Sequence, residues 1–164
     1  MTVIDHPNLE PVLFTNGREG YRLEAPWRYT WTVGDVERRL EFPPGFLSDG
    51  ASVPRILWSL TGITPDGLIR AAAFVHDCLY RFRGRLPPGW LFERPVGAEG
   101  SIAVADVRYT RQSSDAMFGR IMRQAGVAPR KRRLAYHGVR LCGWAVWMRE
   151  AEVLAVDRAG MDAA

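Results

Sequence analysis

The chain has 164 residues, of which 47% are hydrophobic, and this predicts a single domain over 1–164 with a core of its own. Its net charge is +4, a modest excess that does not by itself select a nucleic-acid-binding class. The first residues lack a signal-peptide pattern, and the apolar run 141–148 is too short to span a bilayer, which argues against an exported or membrane-spanning protein.

Cysteine usage also argues against a secreted scaffold. The two cysteines are Cys78 and Cys142, and each lies in a predicted helix. A small secreted protein framed by disulfides carries more cysteines in a spaced pattern. We interpret both as buried free thiols, with a single bridge between the two helices as the alternative.

Residues 11–47 are predicted to be rich in β structure. Three segments combine aromatic and β-branched residues: 21–23, 27–33 and 39–42. Gly34-Asp35 predicts a turn between the last two segments. Pro43-Pro44-Gly45 ends the last strand, because proline cannot donate a hydrogen bond to a sheet.

A helical part is predicted over 54–156. It follows a loop of turn-forming residues, 46–55, and opens with a short helix from Pro54 to Leu60. Three main helices are then predicted over 68–82, 111–125 and 130–156. The less regular stretch 83–110 contains a predicted hairpin of 90–92 with 102–109. This order predicts an α+β fold, in which a small N-terminal antiparallel β-sheet is followed by a cluster of three main α-helices.

The pair His76-Asp77 is the most informative feature of the chain. It lies in the run 71–80, which is otherwise apolar and helix-forming. Burying a polar or charged group without a partner costs roughly 1–7 kcal/mol. The pair therefore requires partners, a metal or a substrate. Tyr80 shares a helix face with both residues, at spacings of four and three.

Asp115 is the predicted distant partner of His76. It lies three residues before Phe118 on the apolar stripe of its helix, where a carboxylate needs a partner. Arg111, one turn earlier, is the local candidate. If the two helices pack antiparallel, Asp115 would orient the imidazole and stabilise its protonated form, as acid–base catalysis requires. The alternative is a buried network that only fixes helix packing, formed by His76, Asp77, Tyr80, Arg111 and Asp115.

The loop Asp49-Gly50-Ala51-Ser52 is a second candidate site. Together with Asp77, the carboxylate of Asp49 and the loop carbonyls would offer oxygen ligands to a hard cation such as calcium. The alternative is that Asp49 and Ser52 only cap the helix that begins at Pro54. The sequence contains no CxxC, HExxH, GxGxxG or Walker pattern, so it does not predict a zinc or nucleotide site.

The last predicted helix carries two further patterns. The first is a stripe at four-residue spacing, formed by Tyr136, Arg140 and Trp144. In one interpretation the arginine stacks on the aromatic rings and the stripe closes over the site; in the other, the stripe only packs against the core. The basic run Arg130-Lys131-Arg132-Arg133 predicts nucleic-acid binding in one interpretation and a solvated helix start in the other.

Pro44-Gly45-Phe46-Leu47-Ser48-Asp49-Gly50-Ala51-Ser52-Val53-Pro54-Arg55 closely resembles the signature of domain-of-unknown-function family 1353. Three later blocks match as well: 72–80, 111–115 and 136–144. Ser114-Asp115 stands where the family usually has Ala-Asp, and 83–110 is longer than usual, as a variable insertion would be. The resemblance implies a phage or prophage origin without implying an activity. It also groups the candidate residues Asp49, Ser52, Arg55, His76, Asp77, Tyr80 and Asp115.

The spacing His-Asp-x-x-Tyr at 76–80 is similar to the active-site helix of secreted calcium-dependent phospholipases. That likeness implies that His76 is the base, with Asp115 orienting it. It further implies Asp77 as a calcium ligand and Tyr80 as a support. The paired cysteines and glycine-rich calcium loop of those enzymes are absent, so the likeness covers one helix and concerns roles only.

Three functions follow as hypotheses. The first is a phage-derived His/Asp hydrolase, calcium-assisted in one version, that acts on a cell-envelope component such as phospholipid or peptidoglycan, with Ser52, Arg55, Arg111 and Arg140 in support. The second is a non-catalytic virion or tail-associated protein, or a host-factor binder. The third is a small regulator that binds nucleic acid through 130–133. Under all three hypotheses the protein would be made in the bacterial cytoplasm without a signal peptide. Under the second hypothesis it would then be incorporated into a virion.

Overall fold

The computed structural model describes residues 4–14, 17, 19–48, 67–100, 102–103 and 107–149. The described elements, in chain order, are β1 (Leu9–Leu13), β2 (Glu19–Leu23), β3 (Trp27–Val33), β4 (Val36–Phe42), β5 (Leu47–Ser48), α1 (Arg70–Arg81), β6 (Leu91–Pro95), β7 (Ile102–Ala103), α2 (Arg111–Gln124) and α3 (Pro129–Arg149). The predicted α+β class, with strands first and three main helices later, is confirmed. The chain forms two compact units, a β unit and a helical unit.

The β unit comprises Pro7–Ser48 and Arg85–Arg108 and contains two antiparallel sheets. One sheet has the order β1-β2-β5 and the other has the order β3-β4-β6-β7. The predicted hairpin of β3 and β4 is confirmed, with pairs running from Trp27↔Phe42 to Val33↔Val36 around a turn in which Gly34 has a φ of 58°. A positive φ at this position is what glycine permits without strain.

Alternation along β3 produces the core of the β unit. Trp27, Tyr29 and Trp31 are buried, whereas the residues between them are exposed. This period of two places the three rings on one face of the sheet, where Trp27 stacks on Phe42 with ring centroids 5.6 Å apart.

The insertion 83–110 contributes the second pair of strands to this sheet. β6 pairs with β4 and also with β7, through Phe92↔Ala103 and Glu93↔Ile102, as the predicted hairpin requires. The second strand is shorter than predicted. Among residues 107–110, ladder pairing is confined to an isolated bridge between Arg108 and Arg85, because the chain turns there to begin α2.

The helical unit contains α1, α2 and α3. Every residue of α1 from Ala71 to Tyr80 is buried, so α1 is enclosed on all sides. Beyond its end, Gly84 has a φ of 73° and its carbonyl accepts a hydrogen bond from the Tyr109 amide at 2.7 Å. A Cβ at Gly84 would collide with the Tyr109 backbone. This close approach fixes the start of α2 beside the end of α1.

Local signals set both ends of α2 and the start of α3. The Thr110 hydroxyl accepts a hydrogen bond from the Ser113 amide at 3.1 Å and so caps α2. Gly126, with a φ of 79°, ends it in a left-handed turn. Pro129 then opens α3, where a missing amide hydrogen costs nothing. The predicted extension of this helix to 156 lies beyond the described residues.

Both cysteines are free thiols. Cys78 is buried, as predicted, but the prediction of burial was wrong for Cys142, which is exposed on α3. Among the described residues, no helix combines the length and the apolar character that crossing a membrane requires.

Candidate active site

The site is built around the fully buried carboxylate of Asp115 on α2. Its Oδ1 atom lies 2.9 Å from Nε2 of His76 and accepts a hydrogen bond of 2.6 Å from the Tyr80 hydroxyl. Its Oδ2 atom accepts a hydrogen bond of 2.8 Å from Nη1 of Arg140. Both oxygens therefore have partners, and the predicted contact between His76 and Asp115 is present.

Helical spacing explains why α1 offers two donors to one carboxylate. His76 and Tyr80 lie one turn apart on α1, so both point toward α2. Their rings lie 4.1 Å apart, and the His76 ring also packs 5.0 Å from the ring of Phe118, one turn beyond Asp115 on α2. Aromatic packing on both sides fixes the plane of the imidazole.

Two arginines supply positive charge to the opposite oxygen. Nη1 of Arg111 lies 3.6 Å from Oδ2 of Asp115, one helical turn away, and donates a hydrogen bond of 3.0 Å to the Arg140 carbonyl. The Arg111 and Arg140 side chains are 23% and 31% exposed, whereas that of Asp115 is 0% exposed. The two cations therefore reach from a hydrated rim to a buried anion, and the hydrogen bond to Asp115 raises the pKa of Arg140.

The environment favours a neutral imidazole beside an ionised carboxylate. Burial lowers the pKa of His76 from its ordinary value of 6.5, and the hydrogen bond and charge of Asp115 offset only part of that effect. Burial alone would raise the pKa of Asp115, but the hydrogen bonds from His76, Tyr80 and Arg140 outweigh it and hold the pKa below its ordinary 3.8.

These protonation states determine which nitrogen of His76 carries the proton. A neutral imidazole has one N–H donor and one bare nitrogen. Because Nε2 faces an ionised carboxylate, it must be the donor, which leaves the lone pair on Nδ1. Nδ1 is buried and has no hydrogen-bond partner among the residues that the structure describes. An oriented imidazole with a free basic nitrogen is the arrangement of a general base.

Tyr80 acts as a fixed donor to Asp115. Burial, together with the adjacent carboxylate, raises the pKa of its phenol far above the usual range, so it stays protonated. Trp147 of α3 packs edge-on against its ring at 4.9 Å. Gly143 provides the space for this contact, since a Cβ there would lie 2.5 Å from the Tyr80 oxygen.

Sequence reasoning identified part of the α3 contribution and missed the rest. Arg140 reaches the site as predicted, but Trp144 is 62% exposed, so the proposed stripe does not close over it. Each four-residue step turns about 40° past a full revolution, so the stripe winds away from the site. The inward face alternates steps of three and four, through Arg140, Gly143 and Trp147. This spacing was the signal in the sequence that could have identified it.

The described residues do not show the two predicted metal ligands, Asp49 and Asp77, brought together at the site. Asp77 is buried on α1, about 100° around the helix axis from His76. Asp49, Ser52 and Arg55 fall outside the described residues. Within the described residues, no group of three His, Cys, Asp or Glu side chains is placed to hold a metal ion.

The family comparison covers His76, Tyr80, Arg111 and Asp115 of this site and ends just before Arg140. The family model described as "Protein of unknown function (DUF1353)" matches residues 21–139. This range includes the β unit from β2 onward, both α1 and α2, and the first half of α3. No curated protein and no solved structure matches the chain.

Proposed function

Because the chain belongs to the DUF1353 family, whose description assigns no activity, we propose its function from the site itself. The protein is a hydrolase in which His76 is the general base and Asp115 orients it. Its substrate is a component of the bacterial cell envelope, and its origin is a phage or prophage. Arg111, Arg140 and Tyr80 support the charge and position of Asp115.

The observation that supports this proposal is that the two ring nitrogens of His76 differ in their hydrogen bonding. Nε2 lies 2.9 Å from Asp115, whereas Nδ1 is buried with no partner among the described residues. A histidine that only holds helices together gains most when both nitrogens are satisfied, since a buried polar atom without a partner costs about 1–3 kcal/mol. An unpaired acceptor is instead the feature that a base requires.

The chemistry of this arrangement is proton transfer during attack by water. Nδ1 takes a proton from a water molecule as its oxygen bonds to the carbonyl carbon of an ester or amide. The resulting imidazolium is stabilised by the ionised Asp115 through the Nε2–H bond, as in other His/Asp pairs. When the tetrahedral intermediate collapses, Nδ1–H returns the proton to the leaving group, and water has been added across the broken bond.

Assistance by calcium is a separate proposal that rests on Asp49 and Asp77. A calcium titration followed by thermal unfolding tests it, because a ligand that binds only the folded state raises Tm. A rise in Tm that is lost in Asp77→Asn supports the metal. An unchanged Tm at millimolar calcium removes it while leaving the base chemistry of His76 intact.

The hydrolase proposal is tested with the full chain and two substrates, phosphatidylglycerol vesicles and purified peptidoglycan. We expect release of fatty acid or of soluble fragments by the natural chain. His76→Gln should lose at least a hundredfold in rate, since general base catalysis contributes about 10²–10⁴-fold. Glutamine is the matched variant, because its amide N–H can still donate toward Asp115 but it has no basic nitrogen.

A non-catalytic role is the second candidate, and the burial of His76 favours it. The imidazole is 0% exposed, and both Asp115 oxygens are satisfied by His76, Tyr80 and Arg140. In this case the cluster is internal scaffolding of a virion, tail-associated or host-binding protein. Absence of hydrolysis on both substrates, with His76 resistant to diethyl pyrocarbonate in the folded chain, would establish this role over the first.

A further inference from the structure

One face of α3 leaves four large apolar side chains in solvent. Their exposed fractions are 47% for Leu134, 81% for Leu141, 62% for Trp144 and 53% for Met148. The steps between them, taken with His137, alternate between three and four residues, so all lie along one face of the helix. The other face packs into the helical unit through buried residues such as Ala135 and Val139.

Exposed cations extend the same face toward the start of the helix. Arg130, Lys131 and Arg133 are exposed and lie three or four residues before Leu134 or His137. Arg132 instead turns back, with Nη1 3.5 Å from the Val127 carbonyl. The sequence of α3 from 129 to 149 contains no aspartate or glutamate. The face is therefore basic at one end, apolar along the rest except at His137, and free of acidic side chains from 129 to 149.

We propose that this face of α3 docks on an anionic phospholipid surface, with Arg130, Lys131 and Arg133 on the headgroups and Leu141, Trp144 and Met148 in the interfacial layer. Clustered Lys and Arg side chains are attracted to anionic headgroups. Exposed Trp, Leu and Met side chains gain by entering the boundary between headgroups and acyl chains. Charge and apolar character thus select the same partner.

Two other occupants fit only one part of the face. A nucleic acid would contact the cations, but the apolar stripe from Leu134 to Met148 extends about 21 Å along the helix, where phosphates have nothing to bind. A second copy of the chain would match the apolar stripe. However, each copy brings the same cations and no acidic side chain to the contact, and repulsion between like charges opposes such pairing.

This docking face also deepens the proposed function, because α3 carries Arg140, which binds Asp115 directly before the exposed Leu141. Docking would hold the candidate site beside the lipid from which a substrate would come. The inference about binding does not require hydrolysis. Protein in a vesicle pellet is measured separately from product, so either proposal can fail alone.

The test is co-sedimentation of the full chain with vesicles of phosphatidylglycerol or of phosphatidylcholine. We expect clear binding to phosphatidylglycerol that weakens with salt, and at least tenfold weaker binding to phosphatidylcholine. Arg130→Gln combined with Lys131→Gln and Arg133→Gln should lower the partition coefficient by roughly a hundredfold. Leu141→Gln combined with Trp144→Gln should lower it by at least about tenfold.

The matched control is Leu13→Gln, which removes an equally apolar side chain, 73% exposed, from β1 of the β unit. It should bind vesicles as the natural chain does. Because all the substituted side chains are exposed, circular dichroism and Tm should be unchanged in each variant.

Three results would overturn the proposal. One is vesicle binding that is unaffected by the Leu141 and Trp144 substitutions. Another is tight binding to duplex DNA that depends on the three cations, with no binding to vesicles. The third is a dimer in sedimentation equilibrium that the apolar substitutions convert to monomer, again without vesicle binding.

Discussion

Oδ1 of Asp115 contacts Nε2 of His76 at 2.9 Å across the junction of α1 and α2, and this contact defines the chemistry of both residues. The carboxylate is held ionised by donors from α1 and α3, and the imidazole is held neutral by burial. The proton between them therefore belongs to Nε2, and the basic lone pair is on Nδ1.

Replacing Asp115 by asparagine should destabilise the chain strongly. The substitution keeps the shape of the side chain but removes the charge that His76, Tyr80 and Arg140 contact, and breaking a buried charged network costs about 3–5 kcal/mol. Chemical denaturation measures the loss. Glu10→Gln is the control, because it breaks only a surface ion pair with Arg22 and should cost less than about 1 kcal/mol. Equal losses in the two variants would refute the energetic role given to Asp115.

Two glycine substitutions should change stability in opposite directions. Gly143→Ala places a methyl group 2.5 Å from the Tyr80 oxygen, and overpacking of this kind costs about 1–3 kcal/mol. Gly119→Ala on α2 meets only Tyr136 at 3.5 Å, an ordinary contact, and should gain up to about 1 kcal/mol from helix propensity. Thermal unfolding of the two variants makes the comparison. A stabilised Gly143→Ala would show that Tyr80 is not tightly held.

Stability should fall in acid in two steps. The folded-state pKa of His76 lies below 6.5, so the unfolded chain binds a proton that the folded chain does not, and stability decreases as the pH falls below about 6.5. The folded-state pKa of Asp115 lies below 3.8, so its contribution is present above that value and is lost as the pH falls further. For a single proton the slope reaches at most about 1.4 kcal/mol per pH unit.

The first step is separated from other acid effects by denaturing the natural chain and His76→Gln at a series of pH values. The series runs from about pH 4 to about pH 8, because histidine titrates within that range. The variant should lose the decrease below about pH 6.5 and keep the remainder. An identical profile in both chains would mean that His76 is not held neutral by the fold.

The two thiols should react at very different rates. Cys142 is exposed, whereas Cys78 is fully buried and burial raises the pKa of its thiol. An aromatic disulfide reagent should therefore modify one thiol in the folded chain and the second only after denaturation. In Cys142→Ser the folded chain should not react. Rapid modification of Cys78 would show that α1 is not enclosed as described.

The sequence predicted most of the fold because its local signals agree with one another. The aromatic and β-branched run of β3, the turn at Gly34-Asp35 and the apolar run of α1 each indicate one structure, and these elements formed as predicted. The predicted strand is not formed at 107–109, where Arg108 makes an isolated bridge and the Tyr109 amide donates to the Gly84 carbonyl instead. Cys142 was misplaced because the apolar content of α3 is distributed over two faces, only one of which packs inside.

The site was predicted in part for a similar physical reason. A carboxylate on an apolar helical stripe demands a partner, so Asp115 could be matched to His76 before either was placed. The spacing of Gly143 and Trp147 could place them on one face of α3, but which side chains of α1 and α2 that face meets depends on how the three helices cross. The prediction for Asp49, Ser52 and Arg55 stays a prediction, because these residues lie outside the described ones.

The most direct test of the account is the tautomer of His76, measured by nitrogen-15 NMR of the imidazole at neutral pH. We predict a neutral ring with the proton on Nε2 and a bare Nδ1, a state that Asp115→Asn disturbs. The signals of His6 and His137 are identified by substituting each in turn. A proton on Nδ1, or a doubly protonated ring at neutral pH, would contradict the assignment of His76 as an oriented general base.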